Sequence, residues 1–277
     1  MSRIPHRDLN DGTYIPQIGF GTWPLSDEEA VVSVTEALAA GHRLIDTASS
    51  YGNESGVGLA IRASGLPRET ISVTTKLRGA DQGYDEALRG FEASATRLGL
   101  DYVDLYLIHW PLPQKDLFVE SWRALGRLRD ERRVRSIGVS NFQPHHIDRL
   151  VAETGIVPSV NQIELHLAFA QRDLLRYDDT RHIVTEAWSP LGRGDDFLHN
   201  EIMSGLTRKY GKSAAQIALR WHVETGTVPL PRSRTPAHIR ADVDIFDFMF
   251  APEDLRKLAS LDRGLRFGGD PETWTEE

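Results

Sequence analysis

Short apolar runs alternate with longer amphipathic stretches along the whole chain. The helical patterns are clearest at 27–40, 84–98, 117–130 and 213–222. Apolar runs bounded by polar or turn residues are typical of buried strands. Eight such runs lie at 18–21, 43–46, 71–77, 103–110, 136–140, 160–164, 183–189 and 228–230.

The first helical pattern has recognisable ends. Ser26 and Glu29 have the spacing of a capping box, and Gly41 follows the pattern as a stop signal. Strict alternation of strands and helices predicts parallel strands with right-handed crossovers. Eight such units in about 250 residues favour a closed (β/α)8 TIM barrel over an open doubly wound sheet.

Two segments lie outside the eight repeats. Residues 4–16 carry a hairpin signal at Asp11-Gly12, and we expect this hairpin to close the bottom of the barrel. Residues 251–261 favour a final helix, which an irregular tail follows. No linker or break in composition divides the chain, so we expect residues 1–277 to form a single domain.

Composition narrows the class of protein. Hydrophobic residues make up 40% of the 277 positions, which allows a large core, and no apolar run is long enough for a membrane span. An apolar signal sequence and cysteine are both absent. The net charge of -8 disfavours a surface for nucleic acid. We expect a cytoplasmic protein with a small-molecule partner and no need to be more than a monomer.

Charged residues end three neighbouring strands. Asp46 ends the second strand, Lys76 lies near the end of the third, and His109 lies near the end of the fourth. Tyr51 follows in the loop after Asp46. Because the carboxyl ends of barrel strands form the active-site rim, these four side chains should meet there. Each alone has a structural explanation as an ion pair, a core histidine or turn packing, but their convergence favours a functional site.

The four side chains suit one reaction. The ordinary pKa of a phenol is about 10, and we expect the Lys76 ammonium to lower the pKa of Tyr51. Asp46 would keep Lys76 charged, and His109 would hydrogen-bond a substrate carbonyl. The set therefore predicts a proton donor that faces a carbonyl oxygen. Because no nucleophile is evident, a hydride donor has to complete the reaction.

The chain lacks the usual nucleotide fingerprints. "GFGTWP" at 19–24 has a proline where the third Rossmann glycine would stand, and there is no P-loop, HExxH, GxSxG or metal-ligand cluster. A nucleotide must therefore bind at the rim of the barrel. After the eighth strand, "PRSRTP" predicts a helix that starts at Thr235-Pro236, which suits either a phosphate or a capped helix with solvated arginines.

Other polar and aromatic residues also follow strands. Trp188 ends the seventh strand, where a flat ring could stack on it. Ser140, Asn141 and Gln162 lie at the ends of the fifth and sixth strands, where a carboxamide could be hydrogen-bonded. Ser140 and Asn141 could equally be N-caps for the helix at Pro144.

Together these segments resemble the aldo-keto reductase family. The motifs are "LNDGTYIPQIGFGTW", "RLIDTASSYGNE", "VTTKL", "LGLDYVDLYLIHWP", "RSIGVSNF", "VNQIELH", "EAWSPLG" and "PRSRTP", and they cover nearly the whole chain. Within the family, the sequence is similar to the bacterial prostaglandin-F-synthase-like and 2,5-diketo-D-gluconate reductase group.

The resemblance implies a barrel that reduces carbonyls with NADPH. It makes Tyr51 the general acid, with Asp46, Lys76 and His109 as its partners. It implies that the cofactor meets Ser140, Asn141, Gln162, Trp188, Ser189, Leu191, Gly192, Arg232, Ser233 and Thr235, with Arg234 adding charge. It implies that the substrate meets Trp23, Tyr51, His109 and Trp110.

The departures from the family pattern lie at the adenosine end. Arg232 stands where the family usually has lysine, which keeps the charge. His238 stands where it usually has arginine, so a permanent charge is lost. Asp242 follows Ala241 where a Glu-Asn pair usually meets adenine, and its carboxylate is unfavourable near phosphate unless it faces the adenine amine. We predict that NADPH is preferred less strictly than usual and that NADH is also used.

Two other functions remain open from the sequence. A Schiff-base aldolase is also a barrel with a strand lysine, and Lys76 could serve, although Asp46 disfavours the neutral amine. A non-catalytic regulatory subunit could keep the fold only to bind NADPH. The identity of the substrate depends on irregular segments at 111–118, at 192–200 and in the tail.

Overall fold

The computed structural model describes residues 4–192 and 198–276. Its strands are β1 (His6–Asp8), β2 (Tyr14–Pro16), β3 (Phe20–Gly21), β4 (Leu44–Asp46), β5 (Ser72–Leu77), β6 (Val103–Ile108), β7 (Val134–Ser140), β8 (Val160–Glu164), β9 (Val184–Trp188) and β10 (Val228–Pro229). Its helices are α1 (Asp27–Ala40), α2 (Glu54–Ala63), α3 (Tyr84–Leu98), α4 (Phe118–Asp130), α5 (Pro144–Thr154), α6 (Arg172–Thr180), α7 (Glu201–Tyr210), α8 (Ala214–Glu224), α9 (Pro236–Asp242) and α10 (Pro252–Ala259).

The strands β3 to β10 form one parallel sheet in chain order. The sheet closes on itself, because the Gly19 N–H donates to the Pro229 carbonyl at 3.0 Å and the Gly21 N–H donates to the Pro231 carbonyl at 2.9 Å. A Cβ on Gly19 would lie 2.5 Å from the Leu230 side chain. A side chain at residue 19 would therefore force the Leu230 and Leu44 side chains to shift. The predicted (β/α)8 barrel is confirmed.

Local signals account for the element bounds. Helices α1 and α3 have their predicted bounds, and both hydrogen bonds of the Ser26–Glu29 capping box are present. Strand β6 ends at Ile108 rather than at residue 110. Ile108 pairs with Leu77, the last residue of β5, so the hydrogen-bonded ladder between the two strands stops there. The N-cap of α5 is Gln143, so the alternative in which Ser140 or Asn141 caps this helix is wrong.

The N-terminal hairpin lies across the amino ends of the strands. Its Asp11 carboxylate accepts a hydrogen bond from Ser159 Oγ at 2.9 Å, directly before β8. The hydroxyls of Thr13 and Ser136 lie 2.7 Å apart. Ile15 packs in one buried apolar cluster with residues inside the barrel. The bottom of the barrel is thus covered, as predicted, and the opposite rim carries the polar side chains.

None of the helices in residues 4–192 and 198–276 combines the length and the apolar character needed to cross a bilayer. The expected single domain, monomeric state and cytoplasmic location stay predictions.

Candidate active site

An ammonium, a carboxylate and a phenol meet at the carboxyl ends of β4 and β5. Lys76 Nζ lies 2.7 Å from Asp46 Oδ1, 3.0 Å from the Thr47 carbonyl and 3.3 Å from Tyr51 Oη. All three ammonium hydrogens thus have an acceptor. The Lys76 side chain has no exposed surface, so each of these contacts lies out of water. This part of the predicted constellation forms as expected.

The charges of the cluster fix its protonation. Burial alone would lower the pKa of Lys76, but the attraction of Asp46 and the contact with Tyr51 outweigh it and raise that pKa. Burial raises the pKa of Tyr51 more than Lys76 lowers it, and Asp46 raises it further. The expectation of a lowered pKa for Tyr51 is therefore wrong in its net direction. Tyr51 keeps its proton and is a donor at neutral pH.

The His109 ring lies edge-on to the Tyr51 ring, with 5.6 Å between centroids. Its Nδ1 lies 3.2 Å from Ser50 Oγ and 2.7 Å from Glu276 Oε1. Sequence reasoning missed both of these neighbours. Ser50 stands beside Tyr51 in the quoted motif and could have been found from its position. Glu276 lies in an irregular segment and gives no such signal.

A second carboxylate lies beneath the cluster. Gln162 Nε2 donates to Asp46 Oδ2 and to Glu186 Oε2, at 2.8 Å each. Burial, and then repulsion by Asp46, raise the pKa of Glu186 to about 8. Glu186 therefore holds a proton at neutral pH. The sequence analysis missed Glu186. It could have been found as a charged residue in the middle of the apolar run "IVTEAWS".

The residues predicted to bind the nicotinamide lie close together and are connected by hydrogen bonds. Asn141 Nδ2 donates to the His109 carbonyl at 3.0 Å, and Trp188 Nε1 donates to Asn141 Oδ1 at 2.9 Å. Ser140 Oγ donates to the Gln162 carbonyl at 2.8 Å. Asn141, directly after β7, therefore links the Trp188 ring to the backbone of His109 at the rim.

The chain turns directly after Trp188. Gly192 N–H donates to the Ser189 carbonyl at 2.8 Å, and Leu191 lies half-buried within the turn. This turn leaves backbone groups at the rim, where the pyrophosphate was predicted. Of the predicted pocket wall at 192–200, residues 193–197 lie outside the described residues.

The two arginines before α9 differ in their partners. Arg234 Nε lies 2.8 Å from Glu29 Oε1, in an exposed ion pair. Arg232 forms no ion pair with a carboxylate among the described residues; burial and the nearby Arg234 lower its pKa, and the attraction of Glu29 only partly offsets this. Thr235 is the N-cap, and its N–H donates to Ser233 Oγ at 3.0 Å. Of the two arginines, Arg232 is therefore the one whose guanidinium is not held in an ion pair among the described residues.

The other two predicted adenosine contacts lie on α9. His238 is exposed, whereas only 4% of Asp242 is exposed. No hydrogen bond or ion pair to another described residue compensates the Asp242 carboxylate. Burial raises its pKa to about 7. Asp242 is thus a buried acid that changes charge near neutral pH.

The tryptophans predicted to contact the substrate differ in their exposure. Trp23 lies in the loop after β3 and is 53% exposed, whereas Trp110, beside His109, is 8% exposed. The Trp110 ring packs on the Trp274 ring, with 5.3 Å between centroids. The C-terminal segment (residues 266–276) therefore packs beside Trp110 at the rim.

Comparison with known proteins gives consistent matches over nearly the whole chain. The model of the Aldo/keto reductase family matches residues 17–263. Methylglyoxal reductase DkgA of Yersinia pestis is 46% identical over 99% of each chain. The crystal structure of an aldo/keto reductase from Brucella melitensis is 52% identical, with a TM-score of 0.91 over 94% of this chain and 100% of that one. A Bombyx mori aldo-keto reductase in complex with NADP is 34% identical, with a TM-score of 0.89 over 96% of this chain and 95% of that one.

Proposed function

The chain belongs to the aldo/keto reductase family, and we propose that it reduces small aldehydes and ketones to alcohols with NADPH, using Tyr51 as the general acid. The observation that carries the proposal is the buried contact chain from Asp46 through Lys76 to Tyr51. It is an arrangement that delivers one proton and stabilises the anion left behind.

The chain's own residues supply the proton half of the reaction. Tyr51 donates its proton to the carbonyl oxygen, and the charged Lys76, 3.3 Å away, stabilises the phenolate that results. Asp46 holds Lys76 charged and in place. When bound, NADPH supplies the hydride that reaches the carbonyl carbon.

The residues at the rim fit such a cofactor. Arg232 forms no ion pair at contact distance among the described residues, which suits the adenosine phosphate. Ser233 and Thr235 would lie beside the same phosphate. The turn from Ser189 through Leu191 to Gly192 would lie along the pyrophosphate.

The nicotinamide would lie at the opposite end of this path. Trp188 would stack on its ring, with Ser140, Asn141 and Gln162 around the carboxamide. Gln162 has its amide hydrogens on Asp46 and Glu186, which leaves its carbonyl oxygen to accept from the carboxamide nitrogen.

The cofactor preference depends on the departures at the adenosine end. Arg232 favours the extra phosphate of NADPH, with Arg234 adding charge, whereas Asp242 and the loss of arginine at His238 weaken that preference. We expect NADPH to be better than NADH, by less than the usual margin. A comparison of kcat/KM for the two cofactors tests this, and a higher value with NADH would overturn it.

The proposed substrates are small α-dicarbonyls. A relative 46% identical to this chain is named methylglyoxal reductase. The aromatic wall of Trp110 and Trp274 gives a compact apolar surface next to the proton donor. Glyoxals, diketones and keto-sugars are therefore the compounds to assay first.

Two alternatives make different demands on the same residues. A Schiff-base aldolase needs a neutral Lys76, but the neighbouring Asp46 and Tyr51 raise the pKa of its amine. Borohydride would trap a substrate on Lys76 only under that alternative. A regulatory subunit would bind NADPH tightly and turn over none of the carbonyls.

The deciding experiment is a carbonyl panel followed by NADPH oxidation, with Tyr51→Phe as the matched variant. We expect Tyr51→Phe to lose at least about a hundredfold in kcat, because the proton donor is gone. NADPH binding should stay within about twofold, since no cofactor charge is lost. Reduction by the variant at near the wild-type rate would rule out the mechanism.

A further inference from the structure

The carboxylate of Glu276 lies against the histidine of the cluster. Its Oε1 is 2.7 Å from His109 Nδ1, and its Oε2 accepts from the Gly79 N–H at 2.6 Å. Ser50 also hydrogen-bonds this carboxylate. Only 10% of the Glu276 side chain is exposed. Polar groups from three different loops of the rim thus surround the Glu276 carboxylate.

This geometry fixes a proton on the imidazole. Burial raises the pKa of Glu276, but the hydrogen bonds from His109, Gly79 and Ser50 lower it by more, so the group is ionised. An ionised carboxylate only accepts hydrogen bonds, and Nδ1 must therefore carry a hydrogen. His109 Nε2 has no hydrogen-bond partner in the described part of the chain, so it is left for a substrate.

The segment that carries Glu276 is anchored at its other end. Glu164, the last residue of β8, accepts from the Phe267 N–H at 2.6 Å and from the Gly268 N–H at 2.8 Å. A Cβ on Gly268 would lie 2.3 Å from the Trp188 ring, so this backbone lies directly against that ring. The segment thus starts its path at the proposed nicotinamide end.

A second contact holds the middle of the segment. The Trp274 carbonyl accepts from Gln114 Nε2 at 3.0 Å, and the Trp274 ring packs on Trp110. The Trp274 N–H donates to the Asp270 carbonyl at 2.7 Å. Residues 266–276 therefore cross the rim from β8 to β6 and deliver Glu276 beside His109.

We propose that Glu276 is a positioning residue that sets the orientation and protonation of His109 during carbonyl reduction. The proposal rests on the proposed function, in which His109 faces the carbonyl. With Nδ1–H held by Glu276, Nε2 faces the substrate, and a hydrogen bound there can be donated in a hydrogen bond to the carbonyl oxygen. This hydrogen bond transfers no proton, and the proton that ends on the alcohol comes from Tyr51.

Other charged groups also face this histidine. Tyr51 lies edge-on to the ring, and Lys76 and Asp46 stand behind Tyr51. None of these groups contacts Nδ1. When Glu276 is absent, Ser50 Oγ at 3.2 Å can donate to Nδ1, and the single proton of a neutral ring then moves to Nε2. Replacing Glu276 should therefore change the tautomer as well as the rate.

The test compares Glu276→Gln with Glu272→Gln in the NADP-loaded full chain. Glu272 lies on the same segment, but its carboxylate is 3.4 Å from His145 and does not touch His109. We expect Glu276→Gln to lower kcat about tenfold and to leave the dissociation constant for NADPH unchanged. The ¹⁵N NMR shifts of His109 should show a hydrogen on Nδ1 in the wild type and the Nε2–H tautomer in Glu276→Gln. Glu272→Gln should change neither quantity, and Glu276→Asp should recover part of kcat.

Two results would overturn the proposal. One is an unchanged ¹⁵N signature in Glu276→Gln. The other is a higher kcat in that variant, which would identify Glu276 as a block on the substrate site. The NMR measurement needs no turnover, so it tests Glu276 even if the wild type reduces none of the carbonyls. That last result would overturn the proposed function alone.

Discussion

Lys76 places its ammonium 2.7 Å from the carboxylate of Asp46, and neither side chain is more than 6% exposed. Such a pair is costly to build and more costly to break, because the remaining charge has no water to solvate it. Here the pair also adjoins Tyr51, so its electrostatic effect reaches the proposed proton donor. Stability and activity should therefore respond differently when one or both partners are removed.

Lys76→Met leaves the Asp46 carboxylate buried without its cation. We expect it to lower the free energy of unfolding by about 3–5 kcal/mol and to lower kcat by at least about a hundredfold. The double variant Asp46→Asn, Lys76→Met removes both charges, so it should regain most of the stability and none of the activity. Urea unfolding and NADPH oxidation measure the two effects. Equal stability of the single and double variants would contradict this explanation.

Arg232→Ala removes the cation that forms no ion pair in the described part of the chain. We expect KM for NADPH to rise roughly tenfold to a hundredfold, the worth of a charged hydrogen bond, and KM for NADH to change little. Arg234→Ala is the matched control, since Arg234 already pairs with Glu29 and should have a smaller effect. Steady-state kinetics with both cofactors decide between them. A larger effect from Arg234→Ala would reverse the assignment.

Asp242→Asn replaces a buried acid by a neutral side chain of the same size. Because the pKa of Asp242 is raised to about 7, its charge opposes an anionic cofactor at about pH 8 and is mostly absent at about pH 5.5. We expect the variant to bind NADPH several-fold more tightly at the higher pH and equally well at the lower one. Fluorescence titration at both values measures this. The same ratio at both pH values would show that ionisation of Asp242 is not the cause.

Glu186→Gln removes an acid whose pKa is raised from 4.5 to about 8. Between these values the folded protein holds the proton and the unfolded chain does not. Folding stability therefore falls as the pH rises through this interval, by up to about 5 kcal/mol from this group. The variant should lack that part of the decline. Urea unfolding of both proteins from about pH 5 to about pH 8.5 measures the difference, and parallel curves would count against it.

Regular elements were predictable because their signals are local. Helix α1 has a capping box at Ser26 and a glycine at residue 41, and these fix both of its ends. The order of the strands followed from alternation, and it brought Asp46, Lys76 and Tyr51 to one rim. The net direction of the pKa shift of Tyr51 was not predictable, because it depends on how much of the phenol is buried.

The partner of His109 could not be predicted from the sequence. Glu276 lies far along the chain, in a segment without helical or strand periodicity, and its position depends on the anchor at Glu164. The tautomer of His109 therefore depends on tertiary structure.

The junction between β3 and β10 has a consequence for how the barrel opens. Two backbone hydrogen bonds, from Gly19 and Gly21, join these short strands, and the second acceptor, Pro231, directly precedes Arg232. Local unfolding starts where few bonds have to break, so these two amides should exchange with deuterium early. A cofactor held by Arg232 would slow that exchange without touching either glycine. Bound NADPH would then stabilise the junction between β3 and β10, and its dissociation would make local opening of the barrel at this junction easier.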